Sequence, residues 1–288
     1  MIHEIAPHVF HNQFKNDPEL SDESLIFVFA GKSEPAFGGG AVLIRDHHIP
    51  SLKDFNGRLS EDDLEFLFGI DGKTCFLLKE SSKYTFAGQD GFVYKKFRDI
   101  RQVQEIETYE YFLSMTAFQL HNWYDNNIFC GHCGHRLEKS GMERALHCPV
   151  CGHTEYPRIV PAVTVAVIDR ERDRILLTQY AGRDIPFYAL VAGFTEIGET
   201  LEETVIREVM EETGLKVKNI RYFGSQPWGI VDDLMVGFFC DLDGDSTIHR
   251  DANELKLADW FSREETELQP TDMSLTNALM RAFKEGRI

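Results

Sequence analysis

The carboxyl-terminal half of this 288-residue chain predicts an α/β fold, with a mixed sheet between helices in an α/β/α sandwich. Two apolar runs, 159–168 and 174–179, predict strands. A helix is predicted after them, since Thr200 and Glu203 form a capping box and Gly214 suits the residue that follows a helix. Further strands are predicted over 217–224 and 234–241, and a last helix over 274–284.

The chain divides into three predicted domains. Residues 1–126 form an α+β domain with a supporting role, residues 127–155 hold four cysteines, and residues 156–288 form the α/β domain. In the first domain, short apolar runs predict strands and longer periodic stretches predict helices. The strands are expected at 24–30, 40–45 and 74–79, and the helices at 60–68 and 99–121.

The predicted helix after Thr200 carries three carboxylates on one face. Glu208, Glu211 and Glu212 stand at positions i, i+3 and i+4, which share a face within one turn. Like charges this close destabilise an isolated helix unless a cation neutralises them. Hard divalent cations such as Mg²⁺ bind carboxylate oxygens and keep waters and substrate phosphates as further ligands. The pattern predicts a metal–phosphate site; the alternative is a solvated acidic face.

These glutamates belong to a longer pattern of fixed spacing over residues 193–215, GFTEIGETLEETVIREVMEETGL. The segment resembles the signature of the Nudix hydrolases, Gly-x5-Glu-x7-Arg-Glu-apolar-x-Glu-Glu-x-Gly-apolar. Every fixed position is filled. The resemblance implies hydrolysis, at the pyrophosphate, of a nucleoside diphosphate linked to another group, with Mg²⁺ or Mn²⁺ as cofactor.

The resemblance also implies a role for each charged residue. Glu208 and Glu212 would be the principal metal ligands, and Glu211 a further ligand or the base for the attacking water. Arg207 would pair with Glu199 to hold the preceding loop. The chemistry agrees, because attack of water on a polyanionic diphosphate needs charge neutralised and the nucleophile oriented.

Four cysteines form two CxxC pairs, Cys130 with Cys133 and Cys148 with Cys151. In a cytosolic protein this spacing is typical of a structural zinc ribbon, in which four thiolates hold Zn²⁺ tetrahedrally. Two disulfides, which the compartment disfavours, or a redox pair are the alternatives. Because four sulfurs satisfy the metal, the nearby histidines are expected on the surface; these are His132, His135, His147 and His153.

The order of motifs along essentially the whole chain resembles the NADH pyrophosphatases within the Nudix family. The motifs are FCGHCG, CPVCG, EYPRIVP, VAGFTEIGE and SQPW, and they follow an amino-terminal domain that is expected to be Nudix-like. The resemblance implies cleavage of NADH or NAD⁺ to AMP and nicotinamide mononucleotide by a homodimer. Some members remove NAD caps from RNA.

Further site residues follow from the same resemblance. The carbonyl of Ala192 and the carboxylate of Glu254 would join the metal. Phe194 would stack on one face of the adenine and Tyr156 of the partner subunit on the other. Alternatively, both rings are core aromatics and Glu254 is an ordinary surface acid. Four more positions are expected near the bound nucleotide, and these are Glu143, Gln226, Pro227 and Trp228.

The chain departs from the family pattern directly after SQPW. Where the pattern has Pro-Phe-Pro-x-Ser, this chain has Gly229–Asp233, GIVDD, which predicts a more flexible loop. The departure leaves ADP-ribose, a dinucleoside polyphosphate or another nucleotide conjugate open as the substrate. Asp232 and Asp233 would bind another cation or reject a more anionic substrate, or else form a solvated turn.

Composition excludes other classes. The net charge of −17 opposes an extended nucleic-acid surface. The alternative from another class is a non-catalytic nucleotide-sensing regulator, which the complete set of glutamates in the signature and the net charge both oppose. Apolar runs stay below the ~18–20 residues that span a bilayer, and the first residues, MIHEIAPHVFHNQF, do not resemble a secretory signal. We therefore expect a cytoplasmic protein. The remaining cysteines, Cys75 and Cys240, lie in apolar runs and are expected to be buried.

Overall fold

The computed structural model describes residues 1–30, 40–182 and 186–288. Backbone contacts divide the chain into two compact units. The amino-terminal unit comprises His3–Arg158 and Trp228–Asp232, and the carboxyl-terminal unit comprises Met1–Ile2, Ile159–Pro227 and Asp233–Ile288. Within the described residues, no helix combines the length and apolar character that a membrane span requires.

The amino-terminal unit combines short strands with helices. Its first strands are β1 (Phe10–His11), β2 (Leu25–Phe27), β3 (Phe29–Ala30), β4 (Ala41–Arg45), β5 (Leu64–Ile70), β6 (Lys73–Leu78) and β7 (Phe92–Lys96). They form two sheets with the orders β1-β5-β6-β2 and β3-β4-β7. After them come helices α1 (Phe97–Val103) and α2 (Thr108–Asn126), and then the ribbon strands β8 (Glu138–Lys139), β9 (Leu146–His147) and β10 (Thr154–Glu155).

The helix predicted over 60–68 is wrong. A capping box at Ser60 does start a helical turn, but the turn ends at Asp63. Leu64–Ile70 forms β5 instead, because it pairs with β1 and β6 and buries apolar side chains such as Phe68. The capping signal can be read from neighbouring residues, whereas the strands that pair with Leu64–Ile70 lie elsewhere in the chain.

The single helix predicted over 99–121 is in fact two helices. α1 ends at Val103, and Gln104 takes a left-handed conformation with φ of 48°. Its backbone N–H donates to the carbonyl of Ile100, which closes the helix. α2 then begins at Thr108 and buries most of its apolar side chains. The spacing of apolar residues does not reveal such a break, because it has the same period in both helices.

The cysteine-rich segment is attached to β5 by long side chains. Lys139 forms an ion pair with Glu65 of β5, and Tyr124 of α2 donates to the same carboxylate at 3.3 Å. Arg144 donates to the backbone carbonyl of Leu67 at 2.5 Å. These contacts place the segment in one compact unit with the strands before it. The three-domain division stays a prediction.

The carboxyl-terminal unit alternates strands and helices. Its elements are β11 (Val160–Asp169), β12 (Arg174–Tyr180), β13 (Val191–Phe194), α3 (Leu201–Thr213), β14 (Val217–Trp228), β15 (Asp233–Leu242), β16 (Leu255–Ser262) and α4 (Leu275–Lys284). The sheet order is β14-β15-β11-β12-β16, with β13 also paired to β11. β11 and β15 are parallel while β11 and β12 are antiparallel, so the sheet is mixed.

Alternate residues of β11 face opposite helices. Val163 and Val165 pack in one core with Val205 and Val209 of α3. Ala166 and Ile168 pack in a second core with Leu279, Met280 and Phe283 of α4. Period-two side chains that are apolar on both faces are what a sheet covered on both sides requires. The predicted α/β/α sandwich with a mixed sheet is confirmed.

Three features of this sheet were not predicted. β13 and β16 are additional strands, and β14 extends to Trp228. The SQPW motif therefore lies at the end of a strand. Short strands such as β13 are hidden in sequence because glycine and loop-like neighbours surround them, as in the VAGF of Val191–Phe194.

Candidate active site and zinc site

Helix α3 is fixed at both ends by its own residues. The backbone N–H of Glu203 donates to Thr200 Oγ1 at 3.2 Å, and the Glu203 carboxylate accepts from the Thr200 backbone N–H at 2.7 Å. Gly214 ends the helix with φ of 71°, which glycine adopts without strain. The carboxylate-bearing face is therefore held in a defined register.

Arg207 connects the loop before α3 with the carboxylates of the helix. Its Nε and Nη2 donate to the two oxygens of Glu199 at 2.6 and 2.9 Å, and Nη2 also donates to the carbonyl of Phe194 at 2.9 Å. Nη1 donates to Glu208 at 2.6 Å and to Glu211 at 3.2 Å. The guanidinium lowers the pKa of Glu199 to about 2. The structure thus contains the Arg207–Glu199 pair that the resemblance implies. We call this set of contacts the arginine clamp.

The carboxylates of α3 differ in exposure. Glu212 is only 2 % exposed and Glu208 is 9 % exposed, whereas Glu211 is exposed. Burial raises the pKa of Glu208, Arg207 opposes this, and the charges of Glu211 and Glu254 add to it. Crowded, buried carboxylates of this kind are stabilised when a divalent cation neutralises them.

Gly193 lies directly against one of these carboxylates. A Cβ at this position would come within 2.0 Å of Glu208 Cδ, well inside contact distance. Glycine therefore lets β13 approach the face of α3 without displacing the Glu208 carboxylate. This close approach explains why the spacing pattern begins with a glycine.

The segment before β16 brings a further carboxylate to the same end of α3. The backbone N–H of Asp251 donates to the carbonyl of Glu212 at 2.9 Å, and the N–H of Ala181 donates to the carbonyl of Glu254 at 2.8 Å. A pocket of about 270 Å³ opens here, lined by Tyr180, Ala181, Ala192, Asn253 and Glu254. Sequence reasoning found Ala192 and Glu254 but missed the other three. The adjacency of Asn253 to Glu254 was an available signal.

The donor set fits a hard divalent cation. Carboxylates and a backbone carbonyl are the oxygen ligands that such ions take. Within the described ranges, the glutamates do not form a group with all ligand atoms closely gathered, since the four cysteines alone meet that spacing. Two of these glutamates, Glu208 and Glu211, are instead bridged by the guanidinium of Arg207. The site is therefore an open arrangement.

The four cysteines form a closed arrangement. All four sulfurs lie within 4.8 Å of one another, with Cys130–Cys151 at 3.6 Å and Cys133–Cys148 at 3.4 Å. Tetrahedral Zn–S bonds of about 2.3 Å require sulfurs about 3.8 Å apart. None of the four is in a disulfide. A hydrogen bond from the Cys151 backbone lowers the pKa of Cys148 to about 6, whereas the hydrogen bond with Cys148 raises the pKa of Cys133 against the opposing effect of the His135 backbone.

Comparisons with known proteins match the two regions that carry these residues. The family model for the NUDIX domain matches residues 158–282, and the model for the NADH pyrophosphatase zinc ribbon domain matches residues 125–156. A protein of Enterobacter sp. (strain 638), named NAD-capped RNA hydrolase NudC, is 41% identical over 182 residues, which cover 63% of this chain and 69% of that protein. A protein of the same name from Pectobacterium atrosepticum is 35% identical over 231 residues, covering 76% and 86%. This chain belongs to the NADH pyrophosphatase family of Nudix hydrolases.

A solved structure of a NUDIX hydrolase from Nitrosomonas europaea is also similar, with a TM-score of 0.47 and 22% identity over 55% of this chain and 92% of that one. Membership confirms the prediction of an enzyme. As a Nudix hydrolase, the chain uses a divalent metal in catalysis, and its ribbon holds a structural zinc.

The residues expected to hold the nucleotide base are exposed in this Nudix hydrolase. Phe194 is 52% exposed and Tyr156 is 54% exposed, so neither ring belongs to a core. Tyr156 donates its hydroxyl to Glu143 Oε1 at 3.1 Å. Gln226 is 2% exposed, and its Oε1 has no hydrogen-bond partner among the described residues, while Pro227 is exposed.

The loop after SQPW is packed, contrary to the flexible loop that the sequence predicts. Gly229 is buried, and a Cβ there would come within 2.4 Å of the carbonyl oxygen of Met115 in α2. The guanidinium of Arg101 lies over the Trp228 ring at 5.1 Å from its centroid. Glycine is thus needed for close approach to a helix backbone, which sequence alone cannot distinguish from a flexible hinge.

The two acids of this loop are not a freely solvated turn. Asp232 is half-buried with φ of 62°, and Asp233 is buried at the start of β15. Burial raises the pKa of Asp232, and the charge of Arg158 partly offsets this.

The histidines near the ribbon lie mostly as expected: three are exposed, and His147 is half-buried with a 2.8 Å contact to Thr154. Cys75 and Cys240 are buried.

Proposed function

We propose that this Nudix hydrolase cleaves the diphosphate of NADH and NAD⁺. Water adds across one P–O–P linkage and gives AMP and nicotinamide mononucleotide. RNA that carries an NAD cap presents the same linkage, and the relatives' name supports it as a further substrate. The observation that carries the proposal is the intact arginine clamp, in which Arg207 joins the loop carboxylate Glu199 to Glu208 and Glu211 on one face of α3.

In the proposed mechanism, two buried carboxylates and two more accessible donors hold the cation, and the exposed Glu211 acts on the water. Glu208, Glu212 and Glu254, with the carbonyl of Ala192, would bind Mg²⁺ or Mn²⁺. When bound, the cation neutralises the diphosphate and lowers the pKa of water. Glu211 is exposed beside these ligands, so it can accept the proton of the attacking water or serve as a further ligand.

Arg207 and Glu199 act as positioning residues. Arg207 holds the carbonyl of Phe194, the loop carboxylate Glu199 and the ligand Glu208 at the same time. A change in the loop therefore moves a metal ligand. Small displacements of this kind reduce rates strongly, because the reacting groups must be aligned within a fraction of an ångström.

The adenine would stack between two exposed rings. Phe194 supplies one face and Tyr156 of the partner subunit supplies the other, so the proposal requires a homodimer. The Tyr156–Glu143 hydrogen bond fixes the direction of that ring. Gln226, Pro227 and Trp228 would flank the nucleotide. A cytoplasmic location suits a four-thiolate zinc site.

A second candidate substrate is ADP-ribose or another nucleotide conjugate. The packed loop Gly229–Asp233 replaces the proline-framed family loop and favours this candidate, because the acid Asp233 stands where the family pattern has serine. The catalytic residues would be the same, and only the pocket for the group beyond the diphosphate would differ.

A substrate panel tests the proposal. AMP release is measured with NADH, NAD⁺, ADP-ribose, a dinucleoside polyphosphate and NAD-capped RNA, each with Mg²⁺ and with Mn²⁺. The proposal expects NADH or NAD⁺ to have the highest kcat/KM. Release of AMP from ADP-ribose but not from NADH would replace it with the second candidate. Hydrolysis of none would contradict both.

A further inference from the structure

The amino-terminal unit contains a cavity of about 700 Å³ that the proposed function does not use. Its described walls come from β3, the helical turn Ser81–Lys83, β7 and the last turns of α2. Four rings line it, and these are Phe29, Tyr84, Tyr94 and His121. Its volume lies in the range of about 300–1,000 Å³ that small-molecule sites occupy.

The rings are held from behind. Tyr84 stacks on Phe86 with centroids 5.5 Å apart and 10° between the planes. His121 stacks on Phe29 at 5.1 Å and 30°, and Ser81 donates to the Phe29 carbonyl at 2.9 Å. Walls fixed in this way lose little conformational entropy when a ligand binds.

Polar groups of α2 line the same cavity. Asn122 is half-buried and Asp125 and Asn126 are exposed, and their side chains make no hydrogen bond with another residue that the structure describes. Each amide offers donors and an acceptor, as the edge of a nucleobase does. Burial lowers the pKa of His121, so near pH 7 its ring is neutral and also offers one donor and one acceptor.

The local charge disfavours a phosphate. The described lining contains the carboxylate of Asp125 and neither lysine nor arginine. The carbonyl end of α2 adds the negative end of a helix dipole. A carboxylate suits sugar hydroxyls, which are donors, and repels anions.

We propose that this cavity is a second binding site, one that takes a nucleoside: a flat base with its sugar and without phosphate. The half-buried rings of Tyr84, Tyr94 and His121 stack on the base, Asn122 and Asn126 bind its edge, and Asp125 accepts from the sugar hydroxyls. The nucleoside is either free or part of an RNA strand whose phosphates remain outside the cavity. The site is independent of the glutamates of α3.

The test uses the full chain with Phe194→Ala, so that the proposed adenine stack of the active site does not contribute. Adenosine, guanosine, cytidine and uridine are titrated by calorimetry, together with their 5′-monophosphates and a short single-stranded RNA. We expect saturable binding of at least one nucleoside with one site per chain, about tenfold tighter than its monophosphate. RNA binding weaker than that of the nucleoside identifies the free nucleoside as the ligand, and tighter binding identifies the strand.

Variants locate the binding within the cavity. His121→Ala and Asn122→Ala should each weaken nucleoside binding about tenfold. Asp125→Asn should reduce the difference in affinity between the nucleoside and its monophosphate. His132→Ala, an exposed ribbon residue, is the matched control and should change nothing. Thermal unfolding of each variant checks the fold. If His121→Ala is unfolded, the variants Asn122→Ala and Asp125→Asn still test the proposal. Absence of saturable binding up to millimolar nucleoside, or binding that neither Asn122→Ala nor Asp125→Asn alters, would overturn the proposal.

Discussion

The cysteine ribbon and helix α3 hold their donors in opposite ways. The ribbon's four sulfurs already lie within 4.8 Å of one another, at separations close to those of a tetrahedral zinc site. The carboxylates of α3 are instead spread along one helical face, and Arg207 bonds two of them. One arrangement is closed and complete, while the other leaves room for substrate and water.

The difference follows from what each metal does. A structural zinc has all its positions filled by protein and stabilises the fold. A catalytic cation needs free positions, so the protein supplies only part of its ligands and must fix them by other contacts. The arginine clamp, the capping box of α3 and Gly193 supply that fixation here.

Substitution at the open site should affect catalysis most. Glu212→Gln removes a buried carboxylate beside the proposed cation, and we expect kcat to fall about 10³-fold, or about 4 kcal/mol of transition-state stabilisation. The thermal midpoint should change little. Glu202→Gln, an exposed acid on the first turn of the same helix, is the control and should keep full activity. Near-normal turnover of the Glu212 variant would remove this residue from the metal site.

Substitution at the closed site should affect stability instead. Cys148→Ser breaks the four-thiolate set, and we expect loss of zinc with about 4 kcal/mol or more of destabilisation. The measurements are zinc content and chemical denaturation. His132→Ala lies between two of the cysteines and is exposed, so it should retain both zinc and stability. Zinc loss in that control would show that a histidine is a ligand.

Gly193→Ala tests whether the open site depends on close approach. The added Cβ would lie 2.0 Å from Glu208 Cδ, so either β13 or the carboxylate must move. We expect kcat/KM to fall about 10²-fold, with a higher Mg²⁺ requirement. A cation titration of the rate measures both. An unchanged titration would mean that Glu208 does not bind the cation.

Glu199→Gln should give the smallest of these effects. The substitution keeps the shape of the clamp but removes its charge-assisted bonds to Arg207, so we expect about a tenfold lower kcat. The fold should be intact by circular dichroism. An effect as large as that of Glu212→Gln would give Glu199 a direct part in the chemistry.

Both metal regions could be predicted from sequence because their chemistry depends on local spacing. The carboxylates share one helix, and each cysteine pair shares one turn. The clamp was also predictable in part, since Arg207 and Glu199 belong to the same short pattern. Its bond to the carbonyl of Phe194 was not, because that contact depends on where β13 lies.

Long-range pairing explains what sequence could not predict. The strand over Leu64–Ile70 replaced a predicted helix because its partners are β1 and β6. The contribution of Tyr180 to the pocket with Glu254 depends on the pairing of β12 with β16. Gly229 was predicted to be flexible, since its contact with the backbone of Met115 spans more than a hundred residues and leaves no local signal in the sequence.

The most direct test of separate structural and catalytic metal sites is NADH hydrolysis after brief treatment with a chelator. Zinc content is measured on the same sample. The account predicts that about one zinc per chain remains, that hydrolysis stops, and that Mg²⁺ or Mn²⁺ restores it. Full hydrolysis in the treated sample, or restoration by zinc alone, would contradict the separation of a closed structural site from an open catalytic one.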